Sequence, residues 1–286
     1  MDLEFTKMHG LGNDFIVIDD RASELDFEPD AVTWLCDRHF GVGGDGLILI
    51  RPATADNAEF FMLYYNADGT TAEMCGNGVR CVAKYLVDNG LVTGDRVGVQ
   101  TLGGVYEIDV ARDADGRFEV ATVDMGEPVL LPALIPTTLP GEDSVVAAPL
   151  TIAGETWEVT CVSMGNPHAI VWVDDVDAAP VTTIGPLIET DPAFPRRTNV
   201  EFASVTTEGL IRLRVWERGV GETLACGTGA CATVVAASLA GLVDRAAAVE
   251  LPGGELVVRW GEDGRVYMSG PAETVFTGTI ALDDEA

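Results

Sequence analysis

A cysteine stands in the same setting twice in this chain, in Glu73-Met74-Cys75-Gly76-Asn77-Gly78 and again in Ala225-Cys226-Gly227-Thr228-Gly229-Ala230. The two cysteines are 151 positions apart (226 minus 75), and Leu213–Gly219 aligns without a gap on Met62–Asp68 at that same offset. A gene duplication shifts every shared segment by a similar amount. We therefore expect two related halves of about 130–150 residues, a common size for one domain.

The residues around each cysteine predict a strand, a turn and then a helix. In the first half, the apolar run Phe60–Tyr65 predicts a strand and Asn66–Gly69 a turn. A helix is predicted after Cys75, because Val79, Val82, Ala83 and Leu86 recur at helical spacing, and Asn89-Gly90 is a stop signal.

The second half repeats this plan. The segment Ile211–Trp216 predicts a strand, and Ala230–Ala237 predicts a helix that ends near Gly241. This helix is apolar nearly all round, which indicates that it is buried within its own sheet.

Each of the two cysteines is thus predicted to lie at a helix N-terminus. Unpaired N–H groups and the helix dipole favour an anion there, so we expect both thiols to ionise more easily than a free thiol, whose pKa is about 8.5. The adjacent glycines, Gly76, Gly78, Gly227 and Gly229, would let a carboxylate approach the main chain. Neither loop matches a dinucleotide fingerprint or a P-loop.

The other four cysteines, Cys36, Cys81, Cys161 and Cys231, are predicted to be small buried apolar residues. A disulfide framework is disfavoured by the length of the chain and by the lack of a secretion signal. The closest cysteine pairs are too far apart in sequence for a zinc knuckle, so no metal site is expected.

The charge balance is strongly acidic, with 46 Asp and Glu against 17 Lys and Arg and a formal net charge of −29. Nucleic acids and anionic membranes are poor partners for such a surface. The acids are spread along the chain, with a cluster only at Asp283-Asp284-Glu285, and the lysines are Lys7 and Lys84. This pattern is typical of a protein from a high-salt cytoplasm, and no stretch is apolar enough to span a membrane.

Two thiols on opposite sides of one ligand are suited to racemisation or epimerisation. One thiolate removes a proton from a carbon while the other thiol delivers a proton to the opposite face. General acid–base catalysis contributes about 10²- to 10⁴-fold, so further stabilisation of the developing charge is required, and two helix N-termini can supply it.

These residues resemble the diaminopimelate epimerase family. The resemblance extends over nearly the whole chain and rests on the motifs Met8–Phe15, Asn66–Gly69, Glu73–Cys81, Gly165–His168, Arg197–Glu201 and Trp216–Gly229. It implies a cofactor-independent enzyme, without pyridoxal phosphate, that interconverts LL- and meso-diaminopimelate in lysine and peptidoglycan-precursor synthesis. It also implies a homodimer.

The resemblance implies that Cys75 and Cys226 are the catalytic acid/base pair. The residues implied to bind substrate are Asn13, Asn66, Gly76, Asn77, Asn166, Asn199, Glu217, Arg218, Gly227 and Thr228. Arg218 is suited to the carboxylate at the non-reacting end. His168 and Glu217 are implied to modulate the pKa values of the thiols.

Two positions depart from the pattern of relatives. Gly46 stands where some relatives have a glutamine that touches substrate, and Phe276 stands where some have a tyrosine that assists the dimer contact. Two other functions remain open at this point. One is a related racemase, such as one for proline, and the other is a non-enzymatic thiol protein that binds metal or senses oxidants.

The fold class implied is α+β, with two similar domains that each curl a mostly antiparallel sheet around a central helix. The first domain is expected at residues 1–122 plus 273–286 and the second at 123–272, with the active site in the cleft between them. Which thiol is ionised at rest does not follow from the sequence.

Overall fold

The computed structural model describes residues 2–282. Met1 and residues 283–286, with the acidic cluster Asp283-Asp284-Glu285, lie outside them. Within this range the chain forms two compact units, one up to Val123 together with the residues from Gly270 onward, and one from Asp124 to Ser269. Over the described residues, no helix is long and apolar enough to cross a membrane.

The first unit contains one mixed sheet. Its strands are β1 (Asp2–Gly10), β2 (Asn13–Asp19), β3 (Gly46–Pro52), β4 (Phe60–Asn66), β5 (Thr71–Ala72), β6 (Arg96–Thr101), β7 (Gly104–Arg112), β8 (Phe118–Asp124) and the last strand of the chain, β18 (Glu273–Ala281). They neighbour one another in the order β18-β1-β2-β3-β4-β6-β7-β8, and β5 also pairs with β4. The pairs β2–β3 and β4–β6 are parallel, and the others are antiparallel.

The second unit repeats this arrangement. Its strands are β9 (Val145–Ile152), β10 (Glu155–Ser163), β11 (Pro167–Trp172), β12 (Asn199–Val205), β13 (Ile211–Glu217), β14 (Gly221–Thr223), β15 (Ala246–Leu251), β16 (Gly254–Trp260) and β17 (Val266–Gly270). Their order is β9-β10-β11-β12-β13-β15-β16-β17, with β14 on β13, and the parallel pairs are β11–β12 and β13–β15. The same order with the same two parallel pairs confirms that the halves are related.

Each unit carries two helices at matching places in the chain. The helices are α1 (Pro29–Cys36), α2 (Gly76–Asp88), α3 (Val181–Glu189) and α4 (Gly227–Leu239). Helix α1 joins the parallel strands β2 and β3, and α3 joins the parallel strands β11 and β12. Helices α2 and α4 each follow a short strand, β5 or β14, and pack against the sheet of their unit. The α+β class predicted from the sequence is confirmed.

The helices after the two cysteines follow the sequence pattern. Along α2 the residues Val79, Val82, Ala83 and Leu86 are all buried, and the helix ends beside Gly90, whose positive φ of 68° suits glycine. Helix α4 is buried along most of its length and packs against β10 to β13, β15 and β16. It is the central helix of its unit, as its apolar sequence predicts.

Candidate active site

Cys75 is the residue immediately before the first turn of α2. Its backbone is extended (φ −141°), and its sulfur accepts a hydrogen bond from the N–H of Gly78 at 3.4 Å. On the other side, the Sγ of Cys75 lies 3.8 Å from Oδ1 of Asn13, to which the thiol can donate. The N–H suits a thiolate and the amide oxygen suits a thiol, so both protonation states of Cys75 have a partner.

Asn13 is held in one orientation by its neighbours. Its Oδ1 accepts a hydrogen bond from Nδ2 of Asn77 at 3.0 Å, and its Nδ2 donates to Oδ2 of Asp45 at 2.8 Å. Asn77 is fixed in turn by the guanidinium of the fully buried Arg80, which donates to its Oδ1 at 3.0 Å. The structure therefore brings three of the predicted residues, Asn13, Cys75 and Asn77, into one cluster, which we call the Cys75 half-site.

Asn66 ends β4, and its amide is engaged in the turn that follows. Its Nδ2 donates to the hydroxyl of Thr70 at 3.0 Å, and its backbone oxygen accepts from Gly69. Opposite Asn66 on β3 stands Gly46, where a Cβ atom would lie 2.4 Å from the carbonyl oxygen of Tyr65 and 2.5 Å from the ring of Tyr64. The Tyr64 ring thus fills the space that a side chain at position 46 would need.

Cys226 precedes α4 as Cys75 precedes α2, but it is more deeply buried, with 5% of its surface exposed. Its Sγ lies 3.6 Å from the hydroxyl of Thr228. Burial, followed by the negative charges of Glu217 and Glu201, raises the pKa of Cys226 well above its ordinary value, and the Thr228 hydrogen bond opposes this shift only in part. The expectation that this thiol ionises easily was therefore wrong: desolvation outweighs the helix N-terminus.

His168 and Asn166 lie in a hydrogen-bonded row that reaches Thr228. The Nδ1 of His168 is 2.6 Å from Oε1 of Glu201, and its Nε2 is 3.0 Å from Oδ1 of Asn166. The Nδ2 of Asn166 donates to the hydroxyl of Thr228 at 3.2 Å. Together with Cys226 and Glu217, these residues form a second cluster, the Cys226 half-site.

Glu217, at the end of β13, accepts a hydrogen bond from the hydroxyl of Thr223 and is bonded to Cys226. Burial raises the pKa of its carboxyl group, although the hydrogen bonds of Thr223 and Cys226 act in the opposite direction. These hydrogen bonds favour the ionised carboxylate, whose negative charge raises the pKa of Cys226.

The turn that carries Arg218 is fixed by two side chains beneath it. Asn199 accepts the backbone N–H of Arg218 at 2.9 Å and donates to the carbonyl oxygen of Pro167 at 2.9 Å. The buried Glu189, at the end of α3, accepts from Gly219 N at 3.0 Å and from Nε1 of Trp216 at 2.7 Å. The side chain of Arg218 itself is exposed, and its guanidinium donates a hydrogen bond to the carbonyl oxygen of Arg196 at 3.3 Å.

The other cysteines behave as predicted. Cys36, Cys81, Cys161 and Cys231 are buried and form no disulfide. Burial raises the pKa of Cys36 to about 11 and the pKa values of Cys81 and Cys161 to about 12. Among residues 2–282, no group of three or more His, Cys, Asp or Glu side chains is arranged to hold a metal ion.

Comparison with known proteins identifies the family. A family model described as diaminopimelate epimerase matches residues 5–131 and 160–275. A protein of Synechocystis named diaminopimelate epimerase is 53% identical over 285 residues, which cover 99% of this chain and all of the relative. The chain belongs to the diaminopimelate epimerase family.

Further relatives with the family name come from distant bacteria. The Leptospira biflexa protein is 46% identical over 99% of this chain and 100% of its own length, and the Pelotomaculum thermopropionicum protein is 52% identical over 96% and 98%. Both carry the name diaminopimelate epimerase.

The fold of the diaminopimelate epimerase family is shared with solved structures of low sequence identity. A hydroxyproline epimerase of Agrobacterium vitis superimposes with a TM-score of 0.70 at 16% identity, covering 99% of this chain and 92% of that one. A PhzF-family protein of Bacillus anthracis gives 0.70 at 15%, covering 99% and 100%. At these identities the likeness shows the fold alone.

Four charged residues that were not predicted from the sequence fix the half-sites and the turn of Arg218 in this diaminopimelate epimerase family member. They are Asp45, Arg80, Glu189 and Glu201. Three of these residues could have been noticed in the sequence. Asp45, Arg80 and Glu201 lie within or beside the motifs and interrupt runs of apolar or small residues. Glu189 has no such signal, since its partners Trp216 and Gly219 lie 27 and 30 residues further along the chain.

Proposed function

We propose that this protein is an isomerase that converts LL-2,6-diaminopimelate into meso-diaminopimelate by inverting one α-carbon, a step in making lysine. The observation that carries the proposal is the pair of matched thiols, Cys75 and Cys226, each directly before a helix in equivalent places of two related units. Full-length relatives at 46–53% identity that bear the enzyme's name support the substrate.

The two thiols act as base and acid on the same α-carbon. Cys226, whose pKa is raised by burial and by Glu217, is the protonated thiol at rest and delivers a proton. Cys75, with the N–H of Gly78 beside its sulfur, takes the role of thiolate base. In the reverse direction the roles exchange, and the amide oxygen of Asn13 then accepts the S–H of Cys75.

Acid–base catalysis by the thiols contributes about 10²- to 10⁴-fold, which is too little for so weak a carbon acid. The remainder comes from stabilising the charge that develops on the reacting carboxylate. Backbone N–H groups at the starts of α2 and α4, at Gly76, Asn77, Gly227 and Thr228, are suited to this because a helix N-terminus favours an anion.

Recognition of a substrate with two carboxylates requires a second cation. Arg218 is exposed on a turn that Asn199 and Glu189 hold in place, so its guanidinium is free to form a bidentate pair with the distal carboxylate. Asn13, Asn66 and Asn166 remain candidates for the amino groups. Asn199 accepts a hydrogen bond from the backbone N–H of Arg218, so we assign to it the positioning of Arg218.

We also propose a homodimer in the cytoplasm that needs no cofactor. Support for the dimer comes from β18, which pairs with β1 and exposes Val275 and Phe276 with 55% and 47% of their surfaces accessible. The ring of Phe276 packs edge-on against Phe5 at 5.8 Å between centroids, so it presents a fixed apolar surface to a second copy.

The proposal is tested by incubating the protein with LL-diaminopimelate and separating the isomers by chiral chromatography, with L-proline as the alternative substrate. We expect meso-diaminopimelate to form up to equilibrium and proline to stay unchanged. Racemised proline with untouched diaminopimelate would assign the protein to another activity of the same fold. Failure with both substrates would favour the non-enzymatic thiol protein.

A further inference from the structure

Glu201, on β12, is a buried acid to which the proposed reaction gives no role. None of its side chain is exposed, and its Oε2 has no hydrogen-bond partner among the described residues. Its Oε1 lies 2.6 Å from Nδ1 of His168, which is also fully buried. Burying a carboxylate costs folding free energy unless a partner compensates its charge, so the buried position of Glu201 requires an explanation.

The hydrogen bonds beyond His168 lead to the thiol of Cys226. The ring Nε2 of His168 contacts Oδ1 of Asn166 at 3.0 Å, and Nδ2 of Asn166 donates to the Thr228 hydroxyl at 3.2 Å. The Thr228 hydroxyl is 3.6 Å from the sulfur of Cys226. Four contacts therefore join Glu201 to Cys226, all within one unit.

The donors and acceptors of this row determine where its protons lie. Asn166 donates through Nδ2, so its Oδ1 can only accept, and Nε2 of His168 must carry a proton. The Thr228 oxygen accepts from Asn166, which leaves its own O–H to donate to Cys226. A proton must also lie between Nδ1 of His168 and Oε1 of Glu201, because two lone pairs facing each other at 2.6 Å would repel.

Glu201 also lies against the start of α4. A Cβ atom at Gly229 would lie 2.8 Å from Oε1 of Glu201, so the carboxylate contacts the first turn of α4, where an anion is favoured. The carboxylates whose charge acts on Cys226 are those of Glu217, at the end of β13, and Glu201, on β12.

We infer that Glu201 is a positioning residue for the Cys226 thiol. It forms a buried imidazolium–carboxylate pair with His168, and this pair directs the hydrogen bonds of Asn166 and Thr228 so that the Thr228 hydroxyl donates to the Cys226 sulfur. That donor stabilises the thiolate and allows Cys226 to serve as the base when the reaction runs in reverse. The catalytic consequence rests on the proposed function, whereas the proton positions do not.

The inference is tested by ¹⁵N–¹H long-range correlation NMR of the histidine rings at neutral pH. The chain has three histidines, so His9→Gln and His39→Gln together leave His168 as the single ring observed. We expect both ring nitrogens of His168 to be protonated. A ring with one protonated nitrogen would overturn the inference, and this result needs no variant of Glu201.

Glu201→Gln tests the role of the carboxylate, because it keeps the shape of the side chain and removes its negative charge. We expect His168 to lose one of its two ring protons and kcat/KM for diaminopimelate to fall about 10-fold, the effect of losing a hydrogen bond to a charged group. The control is Glu189→Gln, a second buried glutamate of the same unit outside this row, which should leave the His168 spectrum unchanged. An unchanged spectrum in Glu201→Gln would contradict the inference.

The proposed function and the proposed role of Glu201 can be disproved independently. If the protein does not epimerise diaminopimelate but His168 carries two protons, the proposed function is wrong and the buried pair stands. If epimerisation occurs while His168 carries one proton, the enzyme is correctly assigned and the role of Glu201 is wrong.

Discussion

Asp45 determines which end of the Asn13 amide faces Cys75. The Nδ2 of Asn13 donates to Oδ2 of Asp45 at 2.8 Å, so Oδ1 turns toward the thiol, 3.8 Å from its sulfur. Asp45 is itself held by Arg38 at 2.9 Å, and Arg38 also binds Asp14 at 2.6 Å. An ion network at the unit's surface thus fixes an acceptor beside the proposed base.

Removal of the Asp45 carboxylate should release Asn13 and slow the reaction. For Asp45→Ala we expect kcat/KM to fall about 10-fold, because a hydrogen bond to a charged group that orients a catalytic neighbour is lost. The measurement is steady-state epimerisation. The control is Asp19→Ala, which breaks the exposed pair with Arg21 in the same unit and should leave kcat/KM unchanged. Equal effects of the two substitutions would show that Asp45 has no special role.

Arg218 should affect substrate binding more than the chemical step. In Arg218→Met we expect KM to rise about 100-fold with a smaller change in kcat, because the lost contact is made in both ground state and transition state. The matched control is Arg212→Met, on strand β13 just before the turn of Arg218, where the arginine pairs with Asp177 and Glu250. A KM unchanged in Arg218→Met would remove it from the binding site.

Asp14 should make stability depend on pH in a defined direction. Burial alone would raise the pKa of Asp14, but hydrogen bonds and charges from Arg38 and Lys7 outweigh it and lower the pKa to about 2 from 3.8. Because the folded-state pKa is the lower one, the stabilisation is complete above the unfolded value of 3.8 and is lost as the pH falls toward about 2.

Asp14→Asn should therefore lower the free energy of unfolding by about 2 kcal/mol at neutral pH. The difference from the wild type should shrink as the pH falls below 3.8. Urea unfolding followed by circular dichroism at several pH values measures this. A difference that stays constant as the pH falls would show that the carboxylate charge is not the source of the effect.

The net charge of −29 predicts that salt stabilises the fold. Raising KCl from about 0.1 M to about 1 M shortens the screening length from about 10 Å to about 3 Å and weakens repulsion among the acidic side chains. We expect Tm to rise with salt at neutral pH and to rise much less near the isoelectric point of about 4.1. A Tm that falls with salt at neutral pH would contradict the high-salt interpretation.

The duplicated plan of the chain could be predicted because its signals are local. The run Phe60–Tyr65, the apolar spacing in α2 and the apolar α4 each identify an element within a few residues. Helices α1 and α3 were not predicted. Pro186 and Gly185 lie inside α3, and both residue types disfavour a helix in a sequence-based prediction. The contact of Gly185 with Trp216 is a tertiary contact that the local sequence does not show.

The ionisation of Cys226 could not be predicted from its neighbours in sequence. The position before α4 indicates an easily ionised thiol, whereas the burial and the carboxylates of Glu201 and Glu217 that reverse this come from β12 and β13. For the same reason the sequence identified His168 and Asn166 as candidates but not Glu201, which joins them only through the parallel pairing of β11 and β12.

The most direct test of the two-thiol account is to run the reaction in D₂O and follow deuterium at the α-carbon of substrate and product by mass spectrometry at early conversion. We predict deuterium in meso-diaminopimelate and almost none in the remaining LL-diaminopimelate, because one thiol removes the proton and the other delivers a solvent deuteron. Cys75→Ala and Cys226→Ala should each abolish the inversion. Deuterium entering substrate and product at equal rates, or full inversion by either variant, would contradict a mechanism with two bases.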